Sequence, residues 1–582
     1  MKLNLKLLYR IALWASILGL VAFIYDFGFS QSNFTQQIID GCYFIILAFG
    51  LISTLSRYIE NLNLLKRRVF TFDFLSILFT IYIYYMYLFV GQPFKSDLIL
   101  ENPVWVVVAV ILSFIREFSE LKINFKRTVL NPAQLFIVSF LIIIFIGSLF
   151  LMLPNATYDG ISFLDALFTS TSAVCVTGLV VVDTGTYFTL FGQTIIMTLI
   201  QVGGLGILTF ASYFSYFFKG STTYENQLAL GDITSSQKLG EVFSILKYII
   251  LITFGLELIS AILIYTSLDT TAFKSQSEQL FFSAFHSVSS FCNAGFSTLS
   301  NSFYETGFKF NYYLQSIVIF TFVLGGLGFP IVVNILKYLR YKITRLLSFS
   351  SERIISKPWV LNINSRITLI TTLLISIVAF VIFYFLEYNN TLAEHNGFGK
   401  IVTALFGATT PRTAGFNTID TAAMRYPTLM LVFLLMWIGA SPQSTGGGIK
   451  TSTFAIATLN ILSLAKGKSR IEIFRREIAD ISVKRAFAII SLSLVVIGFA
   501  IMFISLFDPE KDLMDIAFEC FSAYGTVGLS LGITNDLSSA SKLVVIVVMF
   551  VGRISTLSLV IAVFRKVKHK NYRYPKEEII IN

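Results

Sequence analysis

The stretch FLDALFTSTSAVCVTGL, residues 163–179, decides how this chain folds. Its first eleven residues favour a helix, but a helix needs about 20 apolar residues to cross a bilayer. A tetrad of small residues around a glycine, Val176-Thr177-Gly178-Leu179, follows at once. Non-helical backbone at membrane depth is tolerated only where protein or water surrounds it. The stretch therefore predicts a half-helix that enters a membrane and returns through an extended strand.

The same pattern occurs three more times, at residues 280–296, 400–416 and 512–529. The four glycines are separated by 117, 120 and 113 residues, and a phenylalanine precedes each glycine at nearly the same offset. Four independent loops would rarely coincide in this way, so the sequence predicts a fourfold internal repeat. The three further tetrads are Asn293-Ala294-Gly295-Phe296, Thr413-Ala414-Gly415-Phe416 and Thr526-Val527-Gly528-Leu529, and the phenylalanines are Phe168, Phe285, Phe406 and Phe518.

The composition of the whole chain agrees with a membrane protein. Of 582 residues, 55% are hydrophobic and 13% are charged, against about a quarter charged in soluble domains. This balance excludes a soluble enzyme, a disordered chain and a nucleic-acid binder. Four cysteines without C-x-x-C spacing exclude a zinc framework or a set of disulfides. The predicted fold class is an all-α polytopic membrane protein, with no covalent cofactor.

The apolar stretches and the basic residues predict a topology. An N-terminus inside the cell places 34 of the 44 Lys and Arg residues on inner segments and 8 on outer ones. This asymmetry puts both termini in the cytoplasm, and the first stretch is read as a retained helix rather than a cleaved signal peptide. Twelve spans are predicted, at residues 11–29, 41–55, 69–90, 103–115, 134–153, 193–218, 242–268, 312–339, 367–388, 428–461, 486–507 and 542–564.

Four extended strands around one axis would form a ring of carbonyl oxygens that can replace the water shell of an ion. Glycine suits the centre of each strand because it accepts positive φ without a Cβ clash. The half-helices would direct their partly negative C-termini at the ion, which favours a cation. The alternative is that each glycine only terminates its half-helix. Four aligned loops favour the ring, and the sixteen tetrad residues become the predicted ion-binding residues.

Several motifs together resemble the Trk/Ktr/HKT superfamily of potassium transporters, and within it the bacterial KtrB/TrkH-type uptake subunits. The resemblance covers about residues 130–565 and rests on SAVCVTGL (172–179), QVGGLGILTF (201–210), FCNAGFSTLSNS (291–302), LGGLGFP (324–330), PRTAGFNT (411–418), IGASPQSTGGGIKTST (438–453), AYGTVGLS (523–530) and VGR (551–553). It implies four M1–P–M2 units around one pseudo-fourfold pore, with K⁺ held at the four tetrads. In plant members a serine at the first filter glycine accompanies sodium preference, so Gly178 favours potassium.

The third repeat contains a segment that cannot be a continuous helix, because Pro442 and three successive glycines interrupt it. The resemblance implies that this segment is an intramembrane loop that gates the pore, and that Arg553 lies below the filter. For Lys450 the sequence leaves open whether it anchors the loop or reaches the cytoplasmic surface. The predicted gate residues are Ser441, Gln443, Ser444, Thr445, Gly446, Gly447, Gly448, Lys450 and Arg553.

The predicted units are residues 1–130, which add about four N-terminal helices, and the repeats 131–220, 221–345, 346–465 and 466–582. Extra packing helices are favoured over a voltage sensor for the first unit, because it has no ladder of arginines. Asp73 and Glu257 are expected to pair with other helices, Cys175 and Cys292 to pack behind the filter, and His286 to be packed or hydrogen-bonded. Arg412 is expected either to tune cation entry or to bind a loop carbonyl.

The resemblance implies a homodimer in the bacterial inner membrane, seated on a cytoplasmic ring of nucleotide-binding RCK subunits of the KtrA/TrkA type. The basic segments 337–357 and 466–485 are candidate docking surfaces. The leading function is potassium uptake. The alternatives are a Na⁺-permeable or Na⁺-coupled member, a Kdp-like pump subunit, and a polytopic membrane enzyme or sensor. The absence of a convergent His, Asp or Glu set in the predicted spans argues against an enzyme.

Overall fold

The computed structural model describes residues 5–60, 67–89, 104–119, 132–206, 242–347 and 361–554, together with residues 557, 559 and 560. Apart from short 3₁₀ turns and one hairpin (β1, Glu472–Ile473; β2, Arg476–Glu477), regular structure in these residues is α-helical. The helices are α1 (Leu5–Gly28), α2 (Asn33–Glu60), α3 (Arg67–Phe89), α4 (Val104–Ser119), α5 (Pro132–Leu151), α6 (Phe163–Val174), α7 (Leu190–Leu205), α8 (Val242–Ser267), α9 (Gln276–Cys292), α10 (Tyr312–Gly326), α11 (Phe329–Leu347), α12 (Ile363–Glu387), α13 (Gly397–Thr409), α14 (Tyr426–Trp437), α15 (Thr451–Ala465), α16 (Asp480–Phe507), α17 (Leu513–Gly525) and α18 (Ser539–Ile554).

The long helices have the length and the apolar exposure of membrane spans. Six helices in the described part of the chain can cross a bilayer, or seven if the bent pair α10–α11 counts as one. Helix α12 has a mean hydropathy of 2.7, yet only 11% of the residues in its most apolar 18-residue stretch are buried. An apolar surface of this size is stable only against lipid or another apolar partner. The prediction of an all-α, multi-pass membrane protein is confirmed.

Two predicted spans differ from continuous helices. The span predicted at 312–339 is not one straight helix, because the axes of α10 and α11 meet at 105°. Gly328 has φ +83° at this corner, and a Cβ there would lie 2.6 Å from the carbonyl oxygen of Pro442. The span predicted at 193–218 ends as helix at Leu205, before Gly206 with φ +75°, and residues 207–218 lie outside the described residues. The break expected within 428–461 is present between α14 and α15.

The four predicted half-helices are α6, α9, α13 and α17. Three begin with a side chain that accepts a hydrogen bond from the backbone of the first turn, at Ser162, Ser275 and Asn396. Such N-caps satisfy amide groups that the helix itself leaves unpaired. Each half-helix also packs against the helix that closes the preceding repeat, in the pairs α7–α9, α10–α13, α14–α17 and α18–α6. The last pair returns to the first repeat, so the packing forms a closed cycle.

Helices α1 to α4 form a bundle, in which α1 contacts the turn at Pro154–Ala156 and its Phe27 lies against Phe191 of α7. Inside it Arg116 Nε lies 2.7 Å from Asp73 Oδ1, and Arg57 Nη2 lies 2.5 Å from Glu117 Oε2. Buried charges are costly in a membrane unless they are paired in this way. The expected pairing of Asp73 with another helix is therefore observed.

Candidate ion pathway

The four tetrads have the same backbone conformation. Their glycines Gly178, Gly295, Gly415 and Gly528 have φ values of +89°, +70°, +79° and +92°. Two positions earlier in each tetrad, a residue with a side chain also has positive φ: Val176 at 58°, Asn293 at 60°, Thr413 at 71° and Thr526 at 49°. Residues with a Cβ adopt this conformation rarely. Its recurrence at the first position of all four tetrads shows one backbone design used four times.

The tetrads contact one another in a closed ring. A Cβ added at Gly415 would lie 2.0 Å from the carbonyl oxygen of Val527. A Cβ added at Gly178 would lie 2.3 Å from the carbonyl oxygen of Ala294, and one added at Gly295 would lie 3.1 Å from that of Ala414. At Gly528 the distance to the carbonyl oxygen of Thr177 would be 2.3 Å. Each glycine thus abuts the carbonyl of the residue before the glycine of the next tetrad. The order first, second, third, fourth and back to first matches the cycle of the helices.

Hydrogen bonds fix the direction of the tetrad carbonyls. The amide after the first residue of each tetrad donates back to its own half-helix: Thr177 N to Ser172 O (2.8 Å), Ala294 N to Ser289 O (2.7 Å), Ala414 N to Thr410 O (3.0 Å) and Val527 N to Ser522 O (2.9 Å). In a trans peptide the carbonyl points opposite to the N–H group. The carbonyls of Val176, Asn293, Thr413 and Thr526 therefore point away from the half-helices, toward the centre that the four tetrads enclose.

The hydroxyl of the serine in the first and fourth half-helices adds a second constraint. Gly178 N donates to Ser172 Oγ, and Gly528 N donates to Ser522 Oγ, both at 3.1 Å. By the same trans geometry, the carbonyls of the preceding residues also point away from the half-helix. In the first and fourth strands, two successive carbonyl oxygens therefore point away from the half-helix, and carbonyl oxygens are ligands that can replace the hydration shell of a monovalent cation.

Aromatic and cysteine side chains pack behind the ring, together with one arginine beside the third tetrad. All four aligned phenylalanines (Phe168, Phe285, Phe406 and Phe518) are completely buried. Cys175 and Cys292 are also buried, which agrees with the predicted packing role. Arg412 Nη1 donates to Ser376 Oγ at 3.2 Å, and its Nη2 lies 3.5 Å from the carbonyl oxygen of Gly439. Of the two expectations for Arg412, the structure shows the bond to a loop carbonyl.

The interrupted segment between α14 and α15, residues 438–450, lies against the first residues of the tetrads. Gly447 N donates to Thr526 Oγ1 at 2.9 Å, and Thr445 Oγ1 donates to the carbonyl of Phe291 at 3.3 Å. A Cβ at Gly446 would lie 2.2 Å from Thr413 Oγ1. Contact with the first tetrad residues places this segment at the end of the ring where the strands begin, next to the C-termini of the half-helices. We refer to residues 438–450 as the intramembrane loop.

Two basic side chains hold the intramembrane loop. Arg553 Nη1 donates to the carbonyl of Thr445, and its Nη2 donates to the carbonyl of Gly203 at 2.6 Å. Arg553 thereby ties the loop of the third repeat to the helix that closes the first one. Lys450 Nζ donates to the carbonyl of Gly446 at 2.5 Å. Of the two possibilities for Lys450, the structure shows the anchoring of the loop.

The remaining predicted gate residues shape the loop. Ser444 Oγ donates to the carbonyl of Ser441 at 2.6 Å, while Gln443 and Gly448 have φ values of +57° and +64°. The carbonyl of Gln443 accepts from Phe329 N at 3.3 Å. All sixteen predicted ring residues and all nine predicted gate residues therefore lie in one continuous region.

Sequence reasoning missed the corner between α10 and α11 as a seat for the loop. Ser441 N donates to the carbonyl of Gly326 at 3.0 Å, and the backbone of Gly328 lies against Pro442. The signal in the sequence was Gly-Leu-Gly-Phe-Pro at 326–330, which contains a glycine and a proline that favour a bend.

Comparisons with known proteins agree with this architecture. The profile of the TrkH family, described as a cation transport protein, matches residues 105–574. The Ktr system potassium uptake protein B of Bacillus subtilis is 36% identical over 77% of this chain and 96% of its own length. The potassium/sodium uptake protein NtpJ of Enterococcus hirae is 35% identical over 78% of this chain and 98% of its own length.

A solved structure gives the same result for the fold. The crystal structure of the potassium transporter TrkH from Vibrio parahaemolyticus superposes with a TM-score of 0.59 at 18% identity, and it covers 85% of this chain and 97% of its own. The predicted resemblance and the assignment to a transporter rather than an enzyme are confirmed. The family profile and the high-coverage relatives show that this chain belongs to the TrkH family of cation transport proteins.

Proposed function

We propose that this chain is the ion-translocating subunit of a potassium uptake system, and that K⁺ passes inward through the ring of four tetrads. One observation carries the proposal: the tetrad amides bond outward to the half-helices, so that carbonyl oxygens surround the centre of the ring. Carbonyl rings of this kind replace the hydration shell of an alkali cation. Relatives that are named potassium uptake proteins, and that match this chain over almost their whole length, support potassium as the cargo.

We further propose that the intramembrane loop and Arg553 close the inner end of this path. The loop contacts the first residues of the tetrads, and the guanidinium of Arg553 is bonded to Thr445 of the loop and to Gly203, which supports this proposal. A fixed positive charge in this place opposes the passage of a cation electrostatically. Loss of the two hydrogen bonds of Arg553 would free the loop to move aside.

Sodium is the second candidate ion, because the relative from Enterococcus hirae is named a potassium/sodium uptake protein. The two ions differ in the ring size and field strength they need. Glycine at position 178 favours potassium by resemblance to the superfamily. A Kdp-like pump subunit has no feature of the described residues in its favour over the uptake subunit.

The proposed assembly is a homodimer in the bacterial inner membrane with both termini in the cytoplasm, in which residues 131–220, 221–345, 346–465 and 466–582 each form one repeat. A cytoplasmic ring of RCK subunits would bind on the inner face. The names of the relatives as parts of a Ktr system support a partner. The six basic residues in the segment 337–357 and the seven in 466–485 supply complementary charge for an acidic docking surface.

The test is growth of a bacterium that lacks its own potassium uptake systems, with this chain produced alone or together with RCK subunits. We expect growth at submillimolar K⁺ to be restored, and Rb⁺ uptake to be competed by K⁺ more strongly than by Na⁺. A chain that reaches the membrane with its partners but moves neither K⁺ nor Na⁺ contradicts the proposal. Uptake of Na⁺ in preference to K⁺ selects the second candidate.

A further inference from the structure

The second and fourth half-helices carry an ionisable side chain at the same place, nine residues before the ring glycine. These residues are His286 and Glu519, and both are completely buried. Each one reaches a serine that lies two residues after its ring glycine, Ser297 or Ser530. We propose that His286 and Glu519 are positioning residues that hold the outer ends of two opposite strands of the ring and thereby set its discrimination between cations. This inference rests on the proposed function.

The hydrogen bonds of the second repeat determine which of His286 and Ser297 is the donor. His286 Nδ1 lies 2.9 Å from the carbonyl oxygen of Phe282, which can only accept, so Nδ1 carries the proton. In a neutral imidazole Nε2 is then an acceptor, and it lies 2.9 Å from Ser297 Oγ. The serine hydroxyl therefore donates to His286. Its oxygen accepts from Leu299 N at 3.0 Å, which closes the turn that follows the strand.

The fourth repeat has the same arrangement with a different acceptor. Glu519 Oε1 accepts from Ser530 Oγ, and it also accepts from Thr534 Oγ1 at 2.7 Å. Ser530 Oγ in turn accepts from Gly532 N at 2.9 Å. The serine again closes the turn after the strand, and a buried acceptor on the half-helix again holds the serine. We call the pairs His286–Ser297 and Glu519–Ser530 the outer braces.

The first and third repeats have no brace at the corresponding positions of the described chain. In the first repeat Thr169 donates to Asp165 O at 2.9 Å within its own helix, and Val180 stands where the serine would be. In the third repeat, whose loop is one residue shorter, the equivalent position is Gly407. The second and fourth repeats are opposite each other in the cycle, so the braces give the ring a twofold character within its fourfold plan.

A brace controls strand position because its acceptor on the half-helix is completely buried, while the serine is buried at Ser297 and half-buried at Ser530. A buried acceptor that loses its donor is left unsatisfied at a cost larger than the bond itself. The serine consequently holds the segment after the ring glycine at a fixed distance from the half-helix. A ring that is fixed at two opposite strands cannot contract freely around a smaller cation, so the braces favour K⁺ over Na⁺.

The experiment measures the ratio of the K⁺ and Na⁺ concentrations that half-inhibit Rb⁺ uptake in cells that contain the full chain and its RCK partners. This ratio does not depend on protein abundance. We expect Ser297→Ala to reduce the preference for K⁺ by about tenfold, the effect of one lost hydrogen bond to a buried acceptor. Ser530→Ala should reduce it by less, because Glu519 Oε1 keeps the hydrogen bond from Thr534 Oγ1. Glu519→Gln retains the acceptor oxygen and should stay within about twofold of the wild type.

Thr169→Ala is the matched control, since it removes a hydroxyl at the equivalent position where no brace exists. Adding Ser530→Ala to Glu519→Leu should not change the ion preference further, because Glu519→Leu has already removed the hydrogen bond between these two residues. Unchanged preference in Ser297→Ala and Ser530→Ala, equal to that of Thr169→Ala, overturns the inference while leaving potassium uptake in place. A wild-type chain that transports neither ion overturns both the inference and the proposed function.

Discussion

The tetrad ring and the intramembrane loop lie against each other and are stabilised in different ways. The ring repeats one backbone geometry, with four positive-φ glycines and close carbonyl contacts, although the side chains that support it differ between repeats. The loop occurs in one of the four repeats as far as the chain is described, and it depends above all on Arg553 and Lys450. Under the proposed function, this difference would give ion selection to four equivalent backbones and gating to one element that can move.

The largest effect is expected from a methyl group in the ring. Gly415→Ala places a Cβ about 2.0 Å from the carbonyl oxygen of Val527 at φ +79°, where backbone and not a flexible side chain must yield. Uptake of Rb⁺ should fall below detection, because the carbonyl that the ion needs is displaced. Gly498→Ala is the control, since a Cβ at that helical position has no neighbour within 4 Å. Normal uptake by Gly415→Ala would show that the ring is not the path.

A serine in the first tetrad should reduce transport, though less than Gly415→Ala does, and should also alter selection. Gly178→Ser introduces a Cβ about 2.3 Å from the carbonyl oxygen of Ala294, and its hydroxyl offers a new oxygen at the ring. We expect the preference for K⁺ over Na⁺ to fall about tenfold, which is about 1.4 kcal/mol of differential binding. Competition of Rb⁺ uptake by the two ions measures this ratio. A variant that keeps the preference of the wild type would exclude Gly178 from ion selection.

Breaking the anchor of the loop should increase transport instead of abolishing it. Arg553→Gln removes the positive charge and the hydrogen bonds to Thr445 and Gly203, each worth about 1.5–3 kcal/mol for a charged donor. Rb⁺ uptake in the absence of RCK partners should therefore rise about tenfold. Shortening the segment 441–447 should also increase Rb⁺ uptake in the absence of RCK partners. Arg425→Gln, which changes an exposed arginine outside the loop, is the control. If Arg553→Gln depends on the RCK partners as the wild type does, the loop does not gate the pore.

The smallest effect is expected from the outer surface, which belongs to neither region. Lys309 pairs with Glu394 across two repeats, and this contact lowers the pKa of Glu394. Burial, together with the charge of Lys309, lowers the pKa of the neighbouring His395 below its ordinary value of 6.5. Both groups bind protons less readily in the folded state, so folding stability is lost as pH falls: first below about 6.5 for His395, then at lower pH for Glu394.

The measurement for this surface is thermal unfolding in detergent at pH 7.5 and about pH 5.5. We expect Tm to fall by roughly 1–2 °C over this interval through His395, and His395→Gln to reduce the fall. The preference for K⁺ should be the same at both pH values. An acid-induced change in Tm that His395→Gln leaves intact would assign the titration to other groups.

The sequence predicted the ring better than it predicted the helices around it. The tetrads could be found because positive φ at four equivalent positions demands glycine, which leaves a regular mark at 178, 295, 415 and 528. The interruption at Pro442 was visible for a similar reason. The bend at Gly328 was missed because a run of apolar residues looks the same whether a membrane helix is straight or bent. For Arg412 and Lys450 the sequence left two possible roles each. It could not decide between them, because the hydrogen bonds of these side chains depend on which groups the fold brings within reach.

Ion flux into liposomes that contain the purified chain tests the central claim most directly. With the loop released by Arg553→Gln, the account predicts K⁺ flux well above that of empty liposomes, Na⁺ flux that is lower, and loss of both when Gly415→Ala is added. Equal flux with and without Gly415→Ala, or no flux of either ion through a folded and inserted chain, would contradict the claim that cations cross at the tetrad ring.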